Sequence, residues 1–95
     1  MTPKNVAAVL TAAAFEDILR RMGELFAGVS GRPKLEDVLN AIKDAGLLPE
    51  AQVRIAHTGL AFRNDALHAD WIKIDRNSVQ QYLGLVEGWL SERFR

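Results

Sequence analysis

Three polar side chains in the second half of the chain have the types and spacing that phosphate chemistry requires. Arg63 carries a fixed positive charge and several hydrogen-bond donors that suit a phosphate group. His68 can accept or donate a proton near neutral pH. Asn64 precedes His68 by one helical turn, so its amide could orient the imidazole. A base for a ribose 2′-hydroxyl and a cation for the phosphorane suffice for RNA cleavage without a metal.

The helix expected around these residues does not by itself bring them together. Arg63 and His68 are five positions apart, which is about 140° around an ideal α-helix. They converge only if the helix ends or bends near His68, or if a second copy of the chain completes the site. A two-fold axis beside this helix would place two arginines and two histidines in one cleft.

The segment resembles the signature of the HEPN superfamily, the higher eukaryotes and prokaryotes nucleotide-binding domains. That signature is an arginine followed, after four to six residues, by a histidine. Arg63-Asn64 with His68 matches its four-residue form, including the polar residue after arginine. The flanking runs Gly46-Leu47-Leu48-Pro49-Glu50 and His68-Ala69-Asp70-Trp71 resemble a bacterial subgroup of largely uncharacterised function. The order of helices agrees along nearly the whole chain.

The resemblance implies a helical bundle that dimerises through the motif-bearing helices. Many members of the superfamily are metal-independent ribonucleases of toxin–antitoxin, restriction or phage-defence systems. The resemblance implies that Arg63 and His68 are the catalytic pair and that Asn64 is the supporting polar residue. Arg63 would also bind the substrate phosphate. Other members act as binding or dimerisation modules without demonstrated activity.

Each of these residues also has a structural interpretation. Arg63 could pair with Asp70 or Asp75, and His68 could cap the end of its helix. Trp71 suits an anchor in the core or an interface. Because Trp71 lies beside the motif, it is also the candidate for a second substrate contact.

Charge limits what the chain can bind. The 12 basic and 12 acidic residues give a formal net charge of zero, so the chain lacks the broad basic field of a general nucleic-acid binder. Asp65 and Asp70 lie on either side of His68, flank the proposed site and would repel RNA phosphates. These features favour the alternative to catalysis, a non-catalytic dimerisation or protein-interaction module of a larger protein.

Other chemistries find no support in the sequence. Without cysteine there is neither a disulfide framework nor thiolate chemistry. His57 and His68 would lie about 16 Å apart on a straight helix, too far for one metal ion. No apolar run approaches the roughly 20 residues of a membrane span. We expect no metal, no cofactor and no membrane contact, and a cytoplasmic location.

Apolar residues at helical spacing define four elements that position the motif. The predicted helices span residues 3–27, 34–45, 49–68 and 76–94. In the first, the apolar stripe includes Leu10, Ile18, Met22 and Leu25. Gly46 suits a left-handed C-cap. Because no alternating strand pattern occurs, we predict one all-α domain over 1–95, an up-down antiparallel four-helix bundle.

The third helix carries a second apolar stripe, displaced from the first, formed by Ile55, Phe62 and Ala66. A helix that is apolar on two faces is either central in its bundle or shared with another subunit. A chain of 95 residues buries only roughly 60–65% of its unfolded surface, and partner subunits are a common remedy. We therefore predict a homodimer through these three residues, with RNA or a cognate protein as the further partner.

Overall fold

The computed structural model describes residues 2–94 and contains four α-helices joined by short connections. They are α1 (Pro3–Phe26), α2 (Leu35–Asp44), α3 (Glu50–Leu67) and α4 (Arg76–Arg93), with one 3₁₀ turn, Trp71–Lys73, before α4. No strand occurs within this range. The prediction of an all-α chain with four helices is confirmed, and each helix end lies within one residue of the range expected.

Side-chain caps start the first and last helices. The Thr2 hydroxyl accepts a hydrogen bond from the Asn5 amide at 3.2 Å, and the Asp75 carboxylate accepts one from the Ser78 amide at 2.7 Å. Each cap satisfies a backbone N–H that a helix leaves without an internal partner. The hydrogen bond from Ser78 also holds the pKa of Asp75 below its ordinary value.

The helices do not alternate in direction. Lys4 Nζ donates to the Ile74 carbonyl at 2.9 Å, so α1 and α4 start at the same end of the molecule. Their C-terminal ends also meet, with the rings of Phe26 and Phe94 6.1 Å apart. The first and fourth helices are therefore parallel, whereas an up-down bundle makes them antiparallel. The predicted all-α class holds, but the up-down arrangement does not.

The connection between α1 and α2 explains the change of direction. Arg20 donates a hydrogen bond to the Pro33 carbonyl at 2.9 Å. Arg20 lies about 9 Å before the end of α1, so the connection folds back along α1 before α2 begins. The chain therefore reverses direction within this extended connection, before α2 begins. Apolar periodicity does not show where a chain reverses.

The core forms two adjoining clusters, one at each end of α1. Phe15 lies where they meet, fully buried, with its ring 5.9 Å from Tyr82 and 6.2 Å from Trp89. The Trp89 indole N–H is satisfied by the Gln52 side chain at 3.0 Å. Gly59 of α3 faces Phe15, because a Cβ at this glycine would stand 2.5 Å from the ring. The absence of a side chain at Gly59 therefore lets α1 and α3 approach closely.

The buried face of α1 differs from the predicted stripe. Ile18 and Met22 are buried, but Leu10 and Leu25 are 65% and 64% exposed. The buried face centres on Phe15, and the two exposed leucines lie beyond its edge. Over the described residues, no helix is both long enough and apolar enough to cross a membrane.

Candidate functional site

Arg63 lies on α3 and faces α1, where it forms an ion pair with Glu16. Arg63 Nε is 2.6 Å from Glu16 Oε1, and the two side chains are only 24% and 28% exposed. Sequence analysis suggested Asp70 or Asp75 as the structural partner, and the structure corrects that expectation. Asp70 pairs with Lys73 at 3.1 Å. The carboxylate of Asp75 caps α4.

Glu16 is shared between two arginines. Its second oxygen, Oε2, accepts a hydrogen bond from Arg20 Nε at 2.9 Å. Burial acts to raise the pKa of Glu16, but the hydrogen bonds and positive charges of Arg63 and Arg20 outweigh it and hold that pKa below its ordinary value. Glu16 is therefore ionised at neutral pH and joins the two guanidinium groups.

Sequence reasoning missed Glu16 and Arg20. Their spacing, one helical turn apart within α1, is a signal for a local ion pair. The pairing of Glu16 with Arg63 spans 47 positions of sequence and depends on how α1 and α3 lie against each other. Helical periodicity gives no information on that alignment.

His68 lies outside this cluster because α3 ends before it. His68 is the exposed C-cap residue, and the next residue, Ala69, has a left-handed backbone with φ of 54°. The Asp70 amide donates to the Asp65 carbonyl at 2.8 Å, which closes the Schellman-type end of the helix. The helix thus ends near His68, as convergence would require. His68 nevertheless lines neither of the grooves that contain Arg63.

Asn64 and Trp71 have contacts within the chain. The exposed Asn64 accepts a hydrogen bond from Arg63 at 3.1 Å through its side-chain oxygen, so it orients the arginine. Trp71 is half-buried against the core cluster nearest the start of α1. Its carbonyl accepts a hydrogen bond from Lys4 Nζ at 3.2 Å. Trp71 therefore anchors the connection between α3 and α4.

The residues predicted for a dimer interface pack within one chain. Phe62 and Ala66 are buried, and the Phe62 ring lies 4.7 Å from that of Tyr82 on α4. Ile55 is half-buried at the edge of the same cluster. Because α4 covers this face of α3, the second apolar stripe is accounted for without a second subunit. The alternative of an intrachain core, left open by the sequence, describes Phe62 and Ala66.

A groove of about 360 Å³ runs between α1 and α3 beside the ion pair. Its floor consists of small and apolar side chains, Val9, Ala12 and Ala13 from α1 and Ala66 and Leu67 from α3. The charged side chains that line it are Glu16, Asp17, Arg20, Arg32 and Arg63. A second groove of about 310 Å³ adjoins it at Arg20 and Arg63 and includes Lys34. Three cations and two carboxylates therefore edge the apolar floor of the groove.

The described part of the chain contains no group of three or more histidine, cysteine, aspartate and glutamate side chains placed to hold a metal ion. Comparison with protein-family models, with curated proteins and with solved structures finds no match for this chain. The resemblance of the Arg63–His68 segment to the HEPN superfamily therefore stays a prediction.

Proposed function

We propose that this chain is a HEPN-like, non-catalytic protein-interaction module, which acts by binding a partner rather than by cutting RNA. The ion pair of Arg63 with Glu16 is the observation that carries the proposal. RNA cleavage would need the Arg63 charge on a phosphorane oxygen. That charge is already neutralised by a carboxylate at 2.6 Å, and His68 is exposed at the end of α3.

The local charges support the same conclusion. Glu16 and Asp17 line the groove beside Arg63. Asp65 and Asp70 lie on either side of His68 in sequence. A polyphosphate would meet these four carboxylates in a chain whose formal net charge is zero. Affinity for RNA depends mainly on cations that displace counterions from phosphates, and this surface offers few that are unopposed.

A second candidate is a metal-independent endoribonuclease of a defence or toxin–antitoxin type system, assembled as a homodimer. The hydrogen bond from Arg63 to Asn64 favours it, because the polar residue of the motif orients the arginine. In such a dimer, His68 of one copy would remove the ribose 2′-hydroxyl proton, and Arg63 of the other would stabilise the phosphorane. The two copies would have to meet through a surface other than Phe62 and Ala66, which are buried.

An RNA cleavage assay separates the two candidates. The purified chain is incubated with a mixed-sequence single-stranded RNA beside the variants His68→Ala and His57→Ala, and light scattering gives the oligomeric state. His57→Ala is the matched control, because His57 lies on α3 but outside the motif. The proposal predicts that all three proteins leave the RNA intact. Cleavage that His68→Ala abolishes and His57→Ala retains would establish the ribonuclease.

A further inference from the structure

We propose that the groove between α1 and α3 is a docking site for an acidic amphipathic helix of a partner protein. Such a helix carries carboxylates beside apolar side chains. The inference rests on the proposed function and specifies the chemistry of the partner that the module binds. Shape, charge and the extent of the neighbouring apolar surface each contribute to it.

The floor of the groove is suited to apolar side chains. Ala12, Ala13 and Ala66 are short, which leaves room between the two helices for side chains from outside. Leu67 lines the groove and is 63% exposed, although Ala66 beside it is buried. Leu67 and the exposed apolar residues of α1 meet in this groove, and a contiguous apolar patch of this kind is typical of a surface that a partner covers.

The apolar surface continues from the groove along α1. Val6, Val9 and Ala13 are three and four residues apart, and Leu10 lies beside Val9, so the four share one outer face of the helix. All four are exposed, and Val9 and Ala13 also line the groove. From Val6 to Arg20 the apolar face and the charged end of the groove together extend about 21 Å along α1, the length of a helix of four turns. They are therefore long enough for a helical segment rather than a single residue.

Positive charge is concentrated at the end of the groove that contains Arg20 and Arg63. Arg20 and Arg63 share the single carboxylate of Glu16, so these three side chains together keep one net positive charge. Arg32 lines the same groove, and among the described residues it has no ion-pair partner. Lys34 extends the positive charge into the adjoining groove. A partner with acidic side chains at this end complements these charges.

A protein segment fits this groove better than RNA does. Single-stranded RNA is held by aromatic side chains on which the bases stack, together with a continuous positive groove. The side chains that line this groove include no aromatic ring.

Fluorescence anisotropy with defined probes tests the inference. The probe is a short, fluorescently labelled synthetic helix with leucine and glutamate at helical spacing. A peptide with glutamine in place of glutamate and a single-stranded RNA serve as comparison probes. The substitutions are Arg32→Glu and Leu67→Ser, both at exposed positions. Arg76→Glu is the matched charge control, because Arg76 is exposed and lines neither groove.

We expect the acidic peptide to bind the wild-type chain, and each groove substitution to weaken binding by about tenfold. Arg76→Glu should change binding by less than about twofold. The inference is overturned if the glutamine peptide binds equally well, if Arg32→Glu has no effect, or if the RNA binds in preference. Self-association of the chain that Arg32→Glu abolishes would assign the groove to a second copy and would overturn it too.

This experiment can fail independently of the proposed function. If the acidic peptide does not bind and RNA is not cleaved, the chain remains an interaction module but this groove is not its acidic docking site. Cleavage that depends on His68 overturns the interaction module itself, whatever the peptide result. Binding of the acidic peptide without cleavage supports both.

Discussion

At the scale of single residues, one carboxylate fixes the position of two arginines. Glu16 accepts hydrogen bonds from Arg20 within α1 and from Arg63 across to α3. The three side chains are roughly one-quarter exposed, so the pair is screened less than an exposed one. Arg63 is therefore part of the contact between two helices as well as of the groove.

Substituting Glu16 by glutamine should lower the free energy of unfolding by about 1–2 kcal/mol, between the values typical of exposed and of buried pairs. The variant leaves two partly buried guanidinium groups without their counter-charge. Asp17→Asn is the matched control, because Asp17 pairs with Arg21 while both are largely exposed, and should cost less than about 0.5 kcal/mol. Urea unfolding measures both, and equal losses would contradict this role for Glu16.

The lowered pKa of Glu16 makes the stability of the fold depend on pH. The folded pKa of Glu16 lies below its ordinary value of 4.5. The ion pair therefore stabilises the fold above that ordinary value, and its contribution is lost as the pH falls through the folded pKa. We expect the stability difference between wild type and Glu16→Gln to shrink steadily once the pH drops below 4.5. A difference independent of pH in urea titrations would contradict the ion pair as its source.

Residue type and spacing identified the motif residues but did not predict what their side chains contact. Arg63, Asn64 and His68 were singled out by residue type and spacing, and the structure joins the first two by a hydrogen bond. The partner of Arg63 could not be predicted, because Glu16 is brought to it only by the packing of α3 on α1. Spacing within one helix carries no information about a second helix.

At the scale of elements, the end of α3 holds an alanine in a conformation that favours glycine. Ala69 has φ of 54°, and a left-handed backbone costs such a residue about 1–2 kcal/mol. Glycine avoids that cost but loses about 0.4–1 kcal/mol through greater freedom in the unfolded chain. We therefore expect Ala69→Gly to stabilise the fold by about 0.5–1 kcal/mol and to raise Tm by several degrees.

The end of α2 provides the reciprocal experiment. Gly46 has φ of 68°, and a Cβ there would meet no atom within 4 Å. Gly46→Ala should therefore lower the stability by a similar amount through the backbone alone. Calorimetry on the two variants gives both signs. If both variants changed stability in the same direction, the left-handed conformation would not be what determines the stability of these two helix ends.

The contact between α1 and α3 makes a second prediction at this scale. An alanine at position 59 would put its Cβ 2.5 Å from the buried Phe15 ring. Gly59→Ala should destabilise the fold by about 1–3 kcal/mol, although alanine is the better helix former. Gly84→Ala is the control, because its Cβ meets nothing within 4 Å. It should stabilise α4 by about 0.5–1 kcal/mol. Stabilisation by both substitutions would contradict the close packing of these helices.

The helices themselves were predictable because they are set by local signals. The left-handed cap at Gly46 was predicted from the residue type, and the structure shows it. The buried face of α1 was less predictable. Leu10 and Leu25 fit the apolar spacing yet remain exposed, because the neighbouring helices cover the face centred on Phe15. Which of two adjacent stripes is covered depends on tertiary packing.

At the scale of the whole molecule, the order of the helices is consistent with more than one arrangement. Four apolar patterns with short connections suggested an up-down bundle, whereas the structure has α1 and α4 parallel. The difference comes from the connection at residues 27–34, which returns along α1. This arrangement lets α4 cover Phe62 and Ala66, which the sequence had assigned to a second subunit. The groove between α1 and α3 lies outside this covered face, and it is where we propose that a partner binds.

The most direct test of this account is an amide NMR titration of the labelled chain, first with the acidic peptide and then with single-stranded RNA. We expect the peptide to shift the amide signals of α1 between Val6 and Arg20 and of α3 near Leu67, and we expect RNA to shift few signals. An RNA titration that perturbs Arg63, Asn64 and His68 together, with no response to the peptide, would contradict this account. The segment would then act on RNA, as its resemblance to the HEPN signature implies.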